Sequence, residues 1–408
     1  MEVATREYPE TRWALSPVFL RPQSRDIEPP SRPSAPAETP DSQLAAQPSD
    51  AVADAAASPS ASSGAATSTP SPSTGADGVA VSVDPRVGDD FILVSRARLV
   101  SLPTSGPAWG QLKAVADGDA GTPNLSDNSQ DNNVRVLAKA LVFARTGDGK
   151  YRTQVVAQLK AAVGTEGVDT LALGREAAAY ALAADFIDLA SADRRFDESV
   201  FRPWLRSLLS VQLDGRTLRS THEDRANNWG THAGASRAAI AAYLGDSGEL
   251  ARTAQVFRGW LGDRSSYSGF TYNDDLSWQS DPDQPVGVNP AGATIDGVNV
   301  DGALPEDMRR GSSFRWPPGQ TDYPWGALEG AVLQAEILQR YGYDTFGWSD
   351  RALLRATQFL FDRAGWRPEG NDQWVFWVID YRYGTGYRAP APVPFGKNFG
   401  WTDWLYGS

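Results

Sequence analysis

From Val134 to about residue 363, apolar side chains recur at the three-and-four spacing of a helix face in one segment after another. That repetition limits the folds open to this chain more than any other feature. Val134, Leu137, Ala138, Leu141 and Val142 make one stripe; Val155, Val156, Leu159 and Val163 make the next. The alanine-rich run 171–190 has high helix propensity throughout. Phe201, Trp204, Leu205, Leu208 and Leu209 follow, and the spacing predicts further helices over about 228–244, 248–262, 325–341 and 350–363. Gly, Asp and Pro separate these segments, strand-like alternation is scarce, and no segment is long enough for a coiled coil. Paired helices of roughly 12–20 residues suit an all-α bundle, a solenoid or an incomplete (α/α) toroid. No tight sequence period is visible, which counts against a regular solenoid.

The helical pattern does not reach the N-terminus. Residues 28–83 are built from Pro, Ser, Ala, Thr, Asp and Gly, and 57–76 lack any large apolar side chain. Such a segment cannot bury enough surface to offset its ordering entropy. The expectation is a disordered tail or linker over 1–85 and one helical domain over 86–408. Inside that domain, residues 263–324 are rich in Gly, Pro, Asp and Asn but keep Tyr267, Phe270, Tyr272, Trp278, Trp316 and Tyr323. A long irregular stretch with that many aromatics reads as functional.

Composition closes off several chemistries. The chain of 408 residues has no cysteine, so disulfides, thiolate metal sites and thiol nucleophiles are excluded. Only two histidines, His222 and His232, leave little for a histidine metal site, and neither a metal nor a cofactor is expected. The acidic residues between Asp274 and Asp301 lack the spacing of a calcium loop and read as a solvated acidic stretch. A net charge of −12 argues against nucleic acid as a partner. No apolar run of membrane-spanning length is present. The first residues do not read as a signal peptide. The Pro/Ser-rich linker nevertheless suggests an extracellular or cell-surface setting, and a monomer is expected.

Two segments carry candidate chemistry. In 222–232, both histidines flank Asn227, Asn228 and Trp229. A helix beginning there would use an asparagine as its N-cap and stack Asn228 and His232 on one face, four residues apart. In 301–328, Asp301, Glu306, Arg309 and Arg310 precede Tyr323 and Trp325, at the head of a predicted helix. Arginine binds carboxylates bidentately, and tyrosine can serve as general acid or base. The aromatic supply of 14 Trp, 13 Tyr and 15 Phe would suit either a core or a sugar-stacking cleft.

Taken in order, these residues resemble the alginate-lyase superfamily of polysaccharide lyases. The family pattern Asn-Asn-His-Gly-Thr-Trp is similar to Asn227-Asn228-Trp229-Gly230-Thr231-His232, with His and Trp exchanged. The family's Asp-Gly-x-x-Pro-x-Glu-x-x-Arg-type stretch is similar to 301–310, and its helix-heading Tyr is similar to Tyr323. Stretches 94–97, 102–109 and 137–142 are similar in style. The resemblance spans about 90–385. It implies an (α/α) toroid and β-elimination on an acidic, uronate-containing polysaccharide. It further implies that Asn228 holds the C5 carboxylate, that Tyr323 is acid, base or both, and that Arg309 or Arg310 supports either group. Asn227, Trp229, Arg310, Arg315 and Trp325 would bind substrate. Two departures stand out. Trp229 occupies the family histidine position, so His232 could serve only from one turn further on. The family arginine lies about seven residues before the tyrosine, whereas Arg309 is fourteen before Tyr323 and Arg315 is eight. Two rivals remain open: a glycoside hydrolase using Asp224 with Glu306, which would need a carboxylate pair at catalytic separation, and a non-catalytic carbohydrate-binding protein.

Overall fold

A computed structural model describes residues 90–407. The expected tail and the boundary near residue 85 lie outside these residues. The described residues are predominantly helical. In chain order come α1 (Arg96–Ser101), α2 (Pro107–Asp117), α3 (Asn132–Thr146), α4 (Gly149–Ala162) and α5 (Thr170–Phe186). Short helices α6 (Leu189–Ala192), α7 (Arg194–Phe196) and α8 (Arg202–Leu208) lead to α9 (Leu218–Asp224), α10 (Asn228–Leu244) and α11 (Ser247–Trp260). After the irregular stretch come α12 (Pro305–Met308), α13 (Tyr323–Arg340), α14 (Trp348–Gln358), α15 (Trp374–Tyr383) and α16 (Thr402–Leu405). The stripe predicted over 228–244 is α10 to the residue. The predicted 171–190 helix stops at Phe186, where Asp188 takes a left-handed φ of 48° and starts α6. The predicted 350–363 helix loosens into a π-helical turn from Phe359. The 263–324 stretch is ordered around the two-residue antiparallel pairing of β1 (Thr294–Ile295) with β2 (Val298–Asn299).

The long helices differ in how much of their surface is buried, and that sorts them into two sets. α5, α10 and α13 are buried nearly all round, as expected of inner helices, while α4, α11 and α14 bury only one face. Paired contacts give the direction of the inner set. Gly174 and Ala178 of α5 meet Ala233 and Ser236 of α10, so these helices run parallel. Gly326 and Gly330 of α13 meet Asn228 and His232 of α10, again in parallel register. Glu329 and Glu336 of α13 accept from Trp374 and Arg382 of α15, which is parallel as well. The C-terminal segment then joins α15 to α3. Thr402 donates to the Trp374 carbonyl, Trp401 Nε1 donates to the Val134 carbonyl, and Asn133 donates to the Lys397 carbonyl. Parallel inner helices backed by shorter outer ones, with the last segment returned to the first, are compatible with the expected incomplete toroid.

Two glycines make the parallel packing possible. A Cβ on Gly330 would lie 2.5 Å from the His232 nitrogen, and one on Gly174 would lie 2.9 Å from the Ala233 nitrogen. In both cases the obstacle is the backbone of α10, which cannot rotate away. On the side of α10 that faces α9 and α11, the side chain of Arg237, only 2% exposed, bridges Glu223 at 2.9 Å and Glu249 at 2.5 Å, clamping the three helices together. Gly330→Ala is expected to cost about 1–3 kcal/mol through overpacking. Gly110→Ala, on the exposed side of α2 with nothing within 4 Å of its would-be Cβ, should stabilise by about 0.5–1 kcal/mol through helix propensity. Thermal melts of the two variants test this: equal shifts would deny that α13 and α10 touch through their backbones.

Candidate active site

Because the inner helices are parallel, their N-termini share one end of the domain. Each helix start carries partial positive charge, so that end favours anions. The polar side chains that the core cannot absorb also collect there. α10 starts as expected: Asn227 is the N-cap, its Oδ1 accepting from the Trp229 N–H at 3.1 Å. Asn228 is the first helical residue. Its N–H donates to Asp307 Oδ1 at 3.1 Å, and its own Oδ1 is buried with no hydrogen-bond partner among the described residues. Burial pushes the Asp307 carboxyl well above the usual carboxylate range, opposed by the Asn228 N–H; Glu306 adds to the rise and Arg310 counters it.

Tyr323 is the first residue of α13, half-buried. Gly326 lies on its face one turn on, and a Cβ there would come within 3.9 Å of Asn228 Nδ2. The missing side chain at 326 therefore leaves the Asn228 amide on the Tyr323 face of α13. The Arg310 guanidinium sits over the Tyr323 ring, 3.9 Å from its centroid. Arg309 does not: it pairs with Glu306 at 2.9 Å. Of the two adjacent arginines, it is Arg310 that faces the tyrosine. Arg225 stacks on Trp229 at 4.9 Å with its Nε buried and unpartnered among the described residues. Arg216 and Arg310 lie close enough to Arg225 to help pull its pKa down, after burial. A positive patch thus borders Asn228 and Tyr323, although the whole chain is acidic.

The other expected residues fall elsewhere. Arg315 is exposed and donates to Ser312 Oγ at 3.1 Å. Trp325 is 3% exposed and packs edge-on against Phe376, with its Nε1 unpartnered. His232 follows Asn228 by one turn, as the spacing predicts, but is fully buried. Its Nε2 accepts from Arg175 Nε at 3.5 Å and its Nδ1 has no partner among the described residues. Burial, then the Arg175 charge, drives its pKa well below the usual histidine range, so the ring is neutral. His222 is likewise buried and neutral, between Arg237 and Gln334. Of the rival carboxylates, Asp224 pairs with Arg216 and Glu306 with Arg309. Among the described residues no group of three His, Asp or Glu side chains could hold a metal ion, and no helix is long and apolar enough to cross a membrane.

Four residues of this end escaped the sequence reading: Arg175, Asp307, Glu329 and Asp372. Glu329 is fully buried on α13, accepting from Trp374 Nε1 at 3.0 Å. Burial, reinforced by Asp372, pushes its carboxyl up to about 8. Burial, reinforced by Asp322, pushes Asp372 up to about 7. Arg175 and Glu329 show in the sequence as charges inside apolar runs, whereas Asp307 and Asp372 lie in polar stretches that carry no such signal.

The model of the family described as alginate lyase matches residues 124–271. That span takes in Arg175, Asn227, Asn228, Trp229 and His232 and ends before Asp307, Arg310 and Tyr323. No curated protein matches the chain.

The raised carboxyls set a pH dependence of stability. Both groups keep their protons in the folded chain at pH values where the unfolded chain has lost them. Stability is therefore fully present below their ordinary pKa values, near 4, and falls as pH rises through about 7 to 8. Glu329→Gln keeps the acceptor for Trp374 and removes the titration. It should flatten the fall in unfolding free energy between pH 5 and 8 by up to about 1 kcal/mol per pH unit. Denaturant melts at each pH check this, and a slope unchanged in the variant would refute it.

Proposed function

We propose that this chain, alginate-lyase-like over residues 124–271, is a polysaccharide lyase that cleaves a uronate polymer by β-elimination at Asn228 and Tyr323. One observation carries the reading. The Asn228 amide, whose buried Oδ1 has no hydrogen-bond partner among the described residues and whose Nδ2 is the donor a carboxylate needs, and a half-buried tyrosine are brought to the same helix ends, with a guanidinium on the tyrosine ring. β-Elimination requires that set of groups. The C5 carboxylate must be neutralised so that the C5 proton becomes acidic, and the Asn228 amide with the surrounding positive end of α10 supports that role. Tyr323 removes the C5 proton. The electron pair left on C5 forms the C4–C5 double bond as the C4–O bond breaks, and the leaving oxygen takes a proton, which Tyr323 can return. Arg310 supplies the counter-charge where negative charge develops. His232, neutral and buried, supports the arrangement from behind through Arg175.

The test is the ultraviolet absorbance of the unsaturated product, followed on alginate, glucuronan, hyaluronan, heparan and pectate. Tyr323→Phe should lower kcat by about 10²–10⁴-fold with an unchanged melting temperature. Arg310→Ala should lose activity, whereas Arg309→Ala should chiefly lose stability, because it strands the buried Glu306 carboxylate. Release of reducing ends without unsaturation would instead identify a hydrolase, and affinity with no product would identify a binding protein.

A further inference from the structure

Elimination at Asn228 and Tyr323 makes no use of Lys397, yet the fold holds this residue in the same region. The Asn133 amide donates both to the Arg175 carbonyl at 3.2 Å and to the Lys397 carbonyl at 2.8 Å, so one side chain ties the two cationic residues together. The Lys397 ammonium is half-buried and makes no hydrogen bond or ion pair with a described residue. Next to it Asn398 is 1% exposed, and neither atom of its amide has a hydrogen-bond partner among the described residues. Asn133 Oδ1 is unpartnered too. Buried amides left unpaired cost stability unless a ligand or water completes them. Water could complete the amides, but it would not neutralise the cation beside them.

The acids that face this pair do not cancel it. Glu329 from α13, Asp372 from the turn before α15 and Glu176 from α5 are all held toward their protonated forms by burial. Asp127, exposed on the loop between α2 and α3, keeps its charge within Coulombic reach of Lys397 but forms no ion pair with it, and Asp322 is exposed before α13. Arg175 is also linked to the elimination centre: it reaches His232, one helical turn, roughly 5.4 Å, along α10 from Asn228.

We propose that Arg175, Lys397 and the Asn398 amide form a second carboxylate subsite beside Asn228 and Tyr323, which selects polymers carrying uronates on consecutive residues. The inference rests on the lyase reading for its substrate class, but it makes a separate claim about binding. The test is calorimetric titration of the full chain carrying Tyr323→Phe with two oligosaccharides of equal length. One has a uronate at every residue; the other alternates uronate with a neutral amino sugar. Lys397→Met, added to that chain, removes the charge and keeps the methylenes and the backbone carbonyl that Asn133 uses. The all-uronate ligand should lose about tenfold in affinity, as for one charge-assisted contact, and the alternating ligand should change less than about twofold. Equal losses for both ligands, no loss for either, or no binding of uronates at all would overturn the subsite. In the otherwise native chain, elimination that is indifferent to Lys397→Met would sink the subsite and leave the lyase reading standing. Lys397-dependent binding with no unsaturated product from any polymer would do the reverse.

Discussion

The backbone-to-backbone approach of α10 with its two neighbours underlies the rest of this structure. Gly174 on α5 and Gly330 on α13 face the α10 main chain at distances that leave no room for a Cβ. Close approach of parallel helices aligns their N-termini, and aligned N-termini bring Asn228 and Tyr323 to the same end. A larger residue at either glycine would push the helices apart along their length. Asn228 would then separate from the Tyr323 face long before the hydrophobic core failed, because core packing is spread over many side chains and the site depends on two.

The same alignment accounts for the polar burial. Helix N-termini leave N–H groups unpaired and concentrate positive potential. A chain can meet that demand with caps, with carboxylates or with a bound anion, and this one uses all the internal means in part. Asn227 caps α10, Asp307 accepts from its first N–H, and Glu329 and Asp372 lie close by with their carboxyl pKa values raised by burial. Several atoms nevertheless have no hydrogen-bond partner among the described residues, among them Asn228 Oδ1 and both amide atoms of Asn398. A uronate chain, with a carboxylate and hydroxyls on each sugar, offers the complementary groups. An acidic protein can thus present a local anion site, since the field in a desolvated recess is set by the nearest charges.

The helices were legible because each must bury one stripe, and the stripe shows in the spacing. Boundaries were less so: α5 ends four residues early at a left-handed Asp188, whose local conformation no periodicity announces. The start of α10 was legible down to its cap, since Asn227 and Asn228 offer the short polar side chains that a helix start needs. The choice between Arg309 and Arg310 was not. Both sit in the turn that follows α12, and whether one meets Glu306 or Tyr323 depends on how that turn lies against the start of α13. Trp325 reads in the sequence as a sugar platform and packs in the core instead, on the buried face of α13. Arg175 reads as part of a helix and turns out to be the link between His232 and the α5 side of the site.

By itself the sequence determined the helical class, the succession and approximate limits of the helices, and the asparagine start of α10. These follow from local propensity and from the need of each segment to bury an apolar face. Only the tertiary structure decided which charges meet: Arg310 with Tyr323, Arg309 with Glu306, Arg175 with His232, and Glu329 with Asp372, both carboxyls pushed up by burial. Such pairings join residues up to 57 positions apart, and the energy of each depends on separation and on exclusion of water. Both are properties of the packed helices together, and no single segment contains them.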